Sequence, residues 1–227
     1  MVDIGRWLNA GWEAFQRNAA AFVIATIVGY LLGMVTCGIL FPVMLAGWAL
    51  MALKALKGEK VEIGDLFKPF DKFGTLFILW VLLFVITIVI YGIMFASAFI
   101  PILGILMLLV YLVLFALTPL VSFVVYFAVF EIVDRGTDAM KALTNAWNVV
   151  QKNMAMFWVA GLVLSIVSSI GSVVVVGILV TLPIAMIAFG AAYMDNYGVA
   201  GAPQVPPTTP TPTPPAPMAP PEEPPII

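Results

Sequence analysis

The side chains able to move a proton, hold a metal or attack a carbonyl are few in this sequence, and their placement disfavours all three. Histidine is absent. The one cysteine, Cys37, lies inside an apolar run, where it reads as a small core residue rather than a reactive thiol. It makes no internal disulfide. A metal site of the usual His/Cys kind is therefore excluded. No P-loop, G-x-S-x-G elbow or H-E-x-x-H helix occurs. General acid–base work would fall to carboxylates, and Glu131 and Asp134 beside Arg135 are the group to consider. They stand at the end of an apolar run, so they read as a solvated interfacial ion cluster. No catalytic, cofactor-binding or metal-binding residue is assigned; the chain is expected not to be an enzyme and to need no cofactor.

The elements that would position these residues follow from composition. Hydrophobic residues make up 63% and charged residues 10%, against about 45–50% and 25% in soluble domains. A chain this apolar needs lipid as its solvent. The net charge of −2 excludes a nucleic-acid binder working through a broad basic field. No cleavable signal peptide is visible, because the first apolar stretch is too long and lacks a small-residue cleavage pattern.

The charges fall in four clusters, 3–17, 54–72, 131–152 and 195–223, separated by uncharged stretches 18–53, 73–130 and 153–194. A spanning helix needs about 20 apolar residues, so each stretch suits two spans and a tight turn. The breaks fall near Thr36-Cys37-Gly38, between Ser97 and Gly104, and between Ser168 and Gly177. Pro42, Pro101 and Pro183 are expected near the starts of the second helices, where a missing N–H is tolerated. The expectation is an all-α polytopic transmembrane bundle of three hairpins, with spans at 19–36, 39–56, 73–97, 102–131, 154–171 and 177–194. A half-membrane re-entrant first hairpin is the structural alternative. All charge then lies on one side. The positive-inside rule makes that side cytoplasmic, placing both termini there and the chain in a prokaryotic plasma membrane. Carboxylates inside a membrane mark proton and ion paths; the three uncharged stretches have none.

Shifted by 135, the N-terminus matches the region after Arg135. Asp3/Asp138, Leu8/Leu143, Trp12/Trp147, Gln16/Gln151, Asn18/Asn153, Ala20/Ala155, Phe22/Phe157 and Ala25/Ala160 are identical pairs. Each copy reads as an amphipathic helix (1–18 and 137–152) followed by a hairpin. Ile4, Trp7, Leu8, Trp12 and Phe15 are assigned to one face of the first, and Met140, Leu143, Trp147 and Val150 to one face of the second. Asp3, and Thr137 or Asp138, are candidate caps. Such helices lie in the headgroup plane; the other reading continues each into the next spanning helix. The segment from Asp65 to Phe73 reads as the lead of a degenerate third copy, giving parallel repeats about the membrane normal.

The order of a Trp/Asn amphipathic lead, a hairpin, "LKGEKVEIGDLFKPFDKFG", then "TPL…VDRG…AL…W…N" and "GILVTLP…AAY" resembles a broad group of uncharacterised prokaryotic six-helix membrane proteins. These are similar to the membrane domain sometimes fused to glycerophosphodiester phosphodiesterases. The resemblance covers about residues 5–195 and implies architecture. No phosphodiesterase domain accompanies it here, so that activity does not carry over.

The remaining expectations concern contacts. Trp7, Trp12, Trp147, Lys68 and Lys72 are candidates for the lipid interface. Trp48, Trp80, Trp158 and Tyr193 are placed toward interfaces, and Tyr30, Tyr91, Tyr111 and Tyr126 deeper. Gly29 and Gly33, with Ser165 and Ser169, supply four-residue spacings of small residues for helix packing within the bundle or for a homo-oligomer seam. From Gly201 on, Pro, Thr and Ala dominate, with P-x-x-P spacing at Pro212/Pro215. The 196–227 tail is expected to be disordered, as a spacer or a docking segment for a cytoplasmic partner. The bilayer is the one required partner. The function expected is a non-catalytic scaffold, with a transporter or flippase for an apolar or lipidic substrate as the alternative.

Overall fold

A computed structural model describes residues 3–97, 101–172 and 175–199. The Pro-rich tail and parts of the second and third turns lie outside the described residues.

The described chain is all-α. The helices are α1 (Ile4–Val35), α2 (Phe41–Leu56), α3 (Phe73–Ser97), α4 (Pro101–Arg135), α5 (Ala139–Val150), α6 (Met154–Ser172) and α7 (Val175–Tyr197), with a 3-10 segment over Ile63–Lys72. α1–α2, α3–α4 and α6–α7 pack as three hairpins. Among the described residues, five helices are long and apolar enough to cross a membrane. The chain is a helical membrane protein.

α2 differs from the rest. Its 16 residues reach about 24 Å, short of a hydrocarbon core of about 30 Å. It is also the most enclosed helix, with Met44, Trp48 and Met51 buried on one face and Leu53 on the opposite one. Contacts with α1, α4, α7 and the 3-10 segment surround it, so protein rather than lipid solvates it.

Each hairpin enters through a short lead. The first is the N-terminal part of α1, set off by non-helical backbone at Asn18 (φ −127°, ψ 20°). The second is the 3-10 segment. The third is α5, joined to α6 by a 3-10 turn at Gln151–Asn153. Asp3 caps α1 by accepting the Arg6 N–H at 3.0 Å. Asp138 makes no such side-chain bond, and the Thr137 hydroxyl turns instead to Glu131.

Proline placement corrects one expectation. Pro42 and Pro101 stand in first turns, but α7 begins at Val175 and holds Pro183 in its interior, as α4 holds Pro119. An interior proline lacks the N–H that would bond the carbonyl four residues back, for Pro119 that of Phe115. In the same turn, the Trp158 indole N–H donates to Ala116 O at 2.6 Å. Gly161 permits this crossing, because a Cβ there would lie 2.7 Å from Pro119 Cβ and O.

The centre of the bundle is aromatic. Trp7, Phe123, Phe127, Phe157, Phe189 and Tyr193 pack with ring centroids between 4.9 and 6.4 Å. Much of α3 and the facing half of α4 expose apolar side chains, the surface that lipid would cover.

Candidate functional site

Ionisable side chains gather at one end of the bundle, and they are spent largely on one another. Lys54, Glu131 and Asp195 each stand twelve residues after Pro42, Pro119 and Pro183, near the ends of α2, α4 and α7. Each binds a lead. Asp195 accepts the Arg6 guanidinium and, at 2.6 Å, the Trp7 indole N–H from the first lead. The Lys54 ammonium donates to both Asp65 carboxylate oxygens, at 2.9 and 2.8 Å, in the second. Glu131 Oε1 accepts the Asn145 amide at 2.7 Å in the third. The three leads thus dock in a closed cycle, each on the second helix of the preceding hairpin and the first on the last.

Small residues make the approach possible. At Gly47 on α2, a Cβ would collide with the carbonyl of Leu66 in the second lead and lie 2.8 Å from its Cα. At Gly11 in the first lead, a Cβ would lie 2.9 Å from the Ile184 carbonyl of α7. On α5 the buried face is Ala139, Ala142, Ala146 and Val150, so the helix lies close to α4.

Charges are burdened unequally. Glu131 is 2% exposed, and its second oxygen, Oε2, is buried without a hydrogen bond. It is no solvated interfacial carboxylate, which corrects the sequence expectation. Asp65 is equally buried. Burial would push its carboxyl up, but the ammonium groups of Lys54 and Lys68 and the Glu62 N–H hold it below the usual carboxylate range. Asp134 accepts the Tyr193 hydroxyl at 3.3 Å and the Lys57 ammonium at a looser 3.5 Å. Arg135 lies over the Tyr197 ring at 5.2 Å and donates to the Tyr197 carbonyl at 3.1 Å.

The expected interface residues divide. Trp12 and Trp147 are 48% and 45% exposed. Trp7 is 1% exposed and packs on Phe157; it does not face lipid, because Asp195 and the aromatic centre claim both its polar and its apolar surface. Lys68 pairs with Asp65 at 2.5 Å while staying largely exposed. Lys72 turns inward and donates to the Ile132 and Val133 carbonyls at 3.1 and 2.7 Å, closing the end of α4. Trp48 and Tyr193 are likewise buried in the bundle rather than interfacial.

Of the small residues, Gly29 admits Trp48, whose Cζ2 would lie 2.5 Å from an added Cβ. At Gly33 the nearest atom, of Phe41, would be 3.5 Å away. Ser165 is exposed, and its carbonyl accepts the Ser169 hydroxyl at 2.7 Å, a bond within one helix. Glu131 and Asp195 were missed as anchors because each closes an apolar run singly; the recurring twelve-residue interval from a proline would have found them.

The profile of a family described as "Domain of unknown function (DUF7847)" matches residues 13–220. No curated protein and no solved structure matches the chain.

Proposed function

Taking as premise that the chain belongs to the DUF7847 family, we propose that it is a non-catalytic membrane scaffold that recruits a partner at its charged rim. One observation carries this reading: the middle of the bundle is filled by Trp7, Phe123, Phe127 and Phe157, while Lys54, Glu131 and Asp195 hold the leads in place. A transport path needs polar space between units, and a general acid or base needs access to substrate. Rigid leads displaying Trp12 and Trp147 serve a platform better.

The rim is assigned to the cytoplasmic side of a prokaryotic plasma membrane, on the positive-inside rule. The sequence repeat supports a build of three related units, since Asn18 and Asn153 both stand at breaks and Phe22 and Phe157 are both fully buried. The resemblance to membrane domains fused to phosphodiesterases supports a module that serves another domain or partner. The 201–227 tail is the proposed recruiting segment.

A second reading, movement of a lipidic substrate, is favoured by one feature. A cleft of about 300 Å³ opens between α3 and α4, with Tyr91 and Tyr111 among mainly apolar neighbours. Purified protein in vesicles containing a fluorescent phospholipid separates the two. The scaffold reading expects no protein-dependent transbilayer movement, and a membrane-extract partner retained by the full chain but lost on deleting 201–227. Protein-dependent movement would favour the second reading, and an unchanged set of interactors would remove the recruiting role.

A further inference from the structure

A second cleft, of about 210 Å³, lies at the charged rim between the ends of α2 and α4 and the second lead. Its floor is apolar, made by Leu50, Leu53 and Val133. Its wall carries the ammonium groups of Lys54, Lys57 and Lys68. A lining that passes from aliphatic to charged, with lysines the more numerous, matches the boundary between acyl chains and headgroups.

Charge within the cleft is balanced, three ammonium groups against Asp65, Asp134 and Glu59, but the pairing leaves ammonium N–H donors to spare. Lys54 and Lys68 converge on the single carboxylate of Asp65, which lies behind the wall and is 1% exposed. Among the described residues Lys57 pairs with Asp134 alone, at a loose 3.5 Å, a carboxylate that also accepts the Tyr193 hydroxyl. Lys57 and Lys54 stand one helical turn apart on α2 and present their charges on one face. Asp134 and Glu59 are the opposing charges in the lining, and Glu59 has no ion pair with these lysines among the described residues. Lys72, expected from sequence at the interface, is withdrawn onto the α4 carbonyls and takes no part.

We propose that this cleft binds the phosphate-bearing headgroup of an anionic phospholipid, with Lys57 and Lys68 on the phosphate and the leucine floor against the glycerol ester region. The site stands independently of the scaffold reading, since a transporter would hold such a lipid equally well.

The test uses the full chain, purified in mild detergent and exposed to equal amounts of phosphatidylglycerol and phosphatidylcholine. The retained lipid is read by native mass spectrometry. The wild-type chain retains phosphatidylglycerol preferentially. Lys57→Met keeps the apolar stem and lowers that preference about fivefold, the effect of roughly one interfacial lysine. Glu59→Gln removes one of the two opposing charges in the lining and raises the preference, an effect that misfolding cannot imitate. Lys141→Met, outside the cleft, leaves it unchanged. Equal retention by wild type, Lys57→Met and Glu59→Gln overturns the site. Protection against thermal unfolding by millimolar inorganic phosphate, dependent on Lys57 and matching that given by phosphatidylglycerol, overturns the lipid assignment in favour of a free anion.

Discussion

The indole N–H of Trp7 donates to Asp195 Oδ2 at 2.6 Å, fastening the start of the first helix to the end of the last. Arg6 adds its guanidinium to the same oxygen. The ring of docked leads closes here, between elements separated by nearly the whole described chain.

Removing Asp195 therefore opens the ring at its longest-range contact. Asp195→Ala leaves the Trp7 N–H buried without an acceptor and Arg6 without a counter-charge. A fully buried pair broken this way costs about 3–5 kcal/mol. The Arg6 side chain is 30% exposed and that of Asp195 8%, so water recovers part, and a loss of about 2–3 kcal/mol is expected. Asp195→Asn keeps an acceptor for Trp7 and should cost less. Unfolding titrations in mixed micelles measure both; equal stability of all three proteins would mean that the pair does not hold the ring.

The glycines separate by what stands opposite. Gly47→Ala drives a Cβ into the Leu66 backbone, which no rotamer change relieves, and Gly29→Ala meets the Trp48 ring at 2.5 Å. Overpacking of this kind costs about 1–3 kcal/mol, with the backbone clash at the upper end. Gly33→Ala meets Phe41 at ordinary contact distance, 3.5 Å, and gains about 1 kcal/mol of helix propensity. The expected order of stability is Gly33→Ala at or above wild type, then Gly29→Ala, then Gly47→Ala. A loss of oligomer, rather than of monomer stability, in Gly29→Ala would assign the glycine pair to a seam between copies.

How much of this was legible in the sequence depends on the kind of signal. The hairpins are set by solvent: charge cannot enter the hydrocarbon, so the spacing of charges marks the turns on one side and Gly/Pro signals mark the others. The leads were legible as amphipathic, but not which way each side chain points. Trp7 and Trp12 are five residues apart, about 140° around a helix, and cannot share a direction; Trp7 faces inward and Trp12 outward. On α5 the protein-facing stripe is three alanines and Val150, while Met140 and Trp147 face out, the reverse of a soluble helix and the pattern that an interfacial helix would need. Glu131 was read as solvated because the residue that encloses it, Asn145, arrives from the next lead.

Lys72 supplies a local test of helix-end chemistry. Its ammonium takes the Val133 carbonyl, one of the acceptors that the end of α4 leaves without an intrahelical partner, and shares the Ile132 carbonyl with the Gly136 N–H. A cation there is further stabilised by the helix dipole. Lys72→Met keeps the stem and removes the donor, and should cost about 1–2 kcal/mol. Hydrogen exchange should quicken in the last turn of α4 while the middle of α4 stays protected. Unchanged exchange around residues 132–136 would show that water replaces the ammonium without cost.

The orientation of the bundle is testable with the chain's own thiol. Cys37, expected from its apolar surroundings in the core, is instead exposed, because it stands at positive φ, 49°, in the turn joining α1 to α2, at the end away from the charged rim. If the lysine-bearing loops are retained in the cytoplasm, a membrane-impermeant maleimide added to intact cells labels Cys37. In a Cys37→Ser background, Lys60→Cys, placed in the exposed loop after α2, should label only after permeabilisation. The pair is decisive because the two positions lie at opposite ends of one short helix, so swapping sides requires the whole first hairpin to invert. Labelling of Lys60→Cys from outside, with Cys37 silent, would put the charged rim on the outer surface and remove the cytoplasmic partner with it.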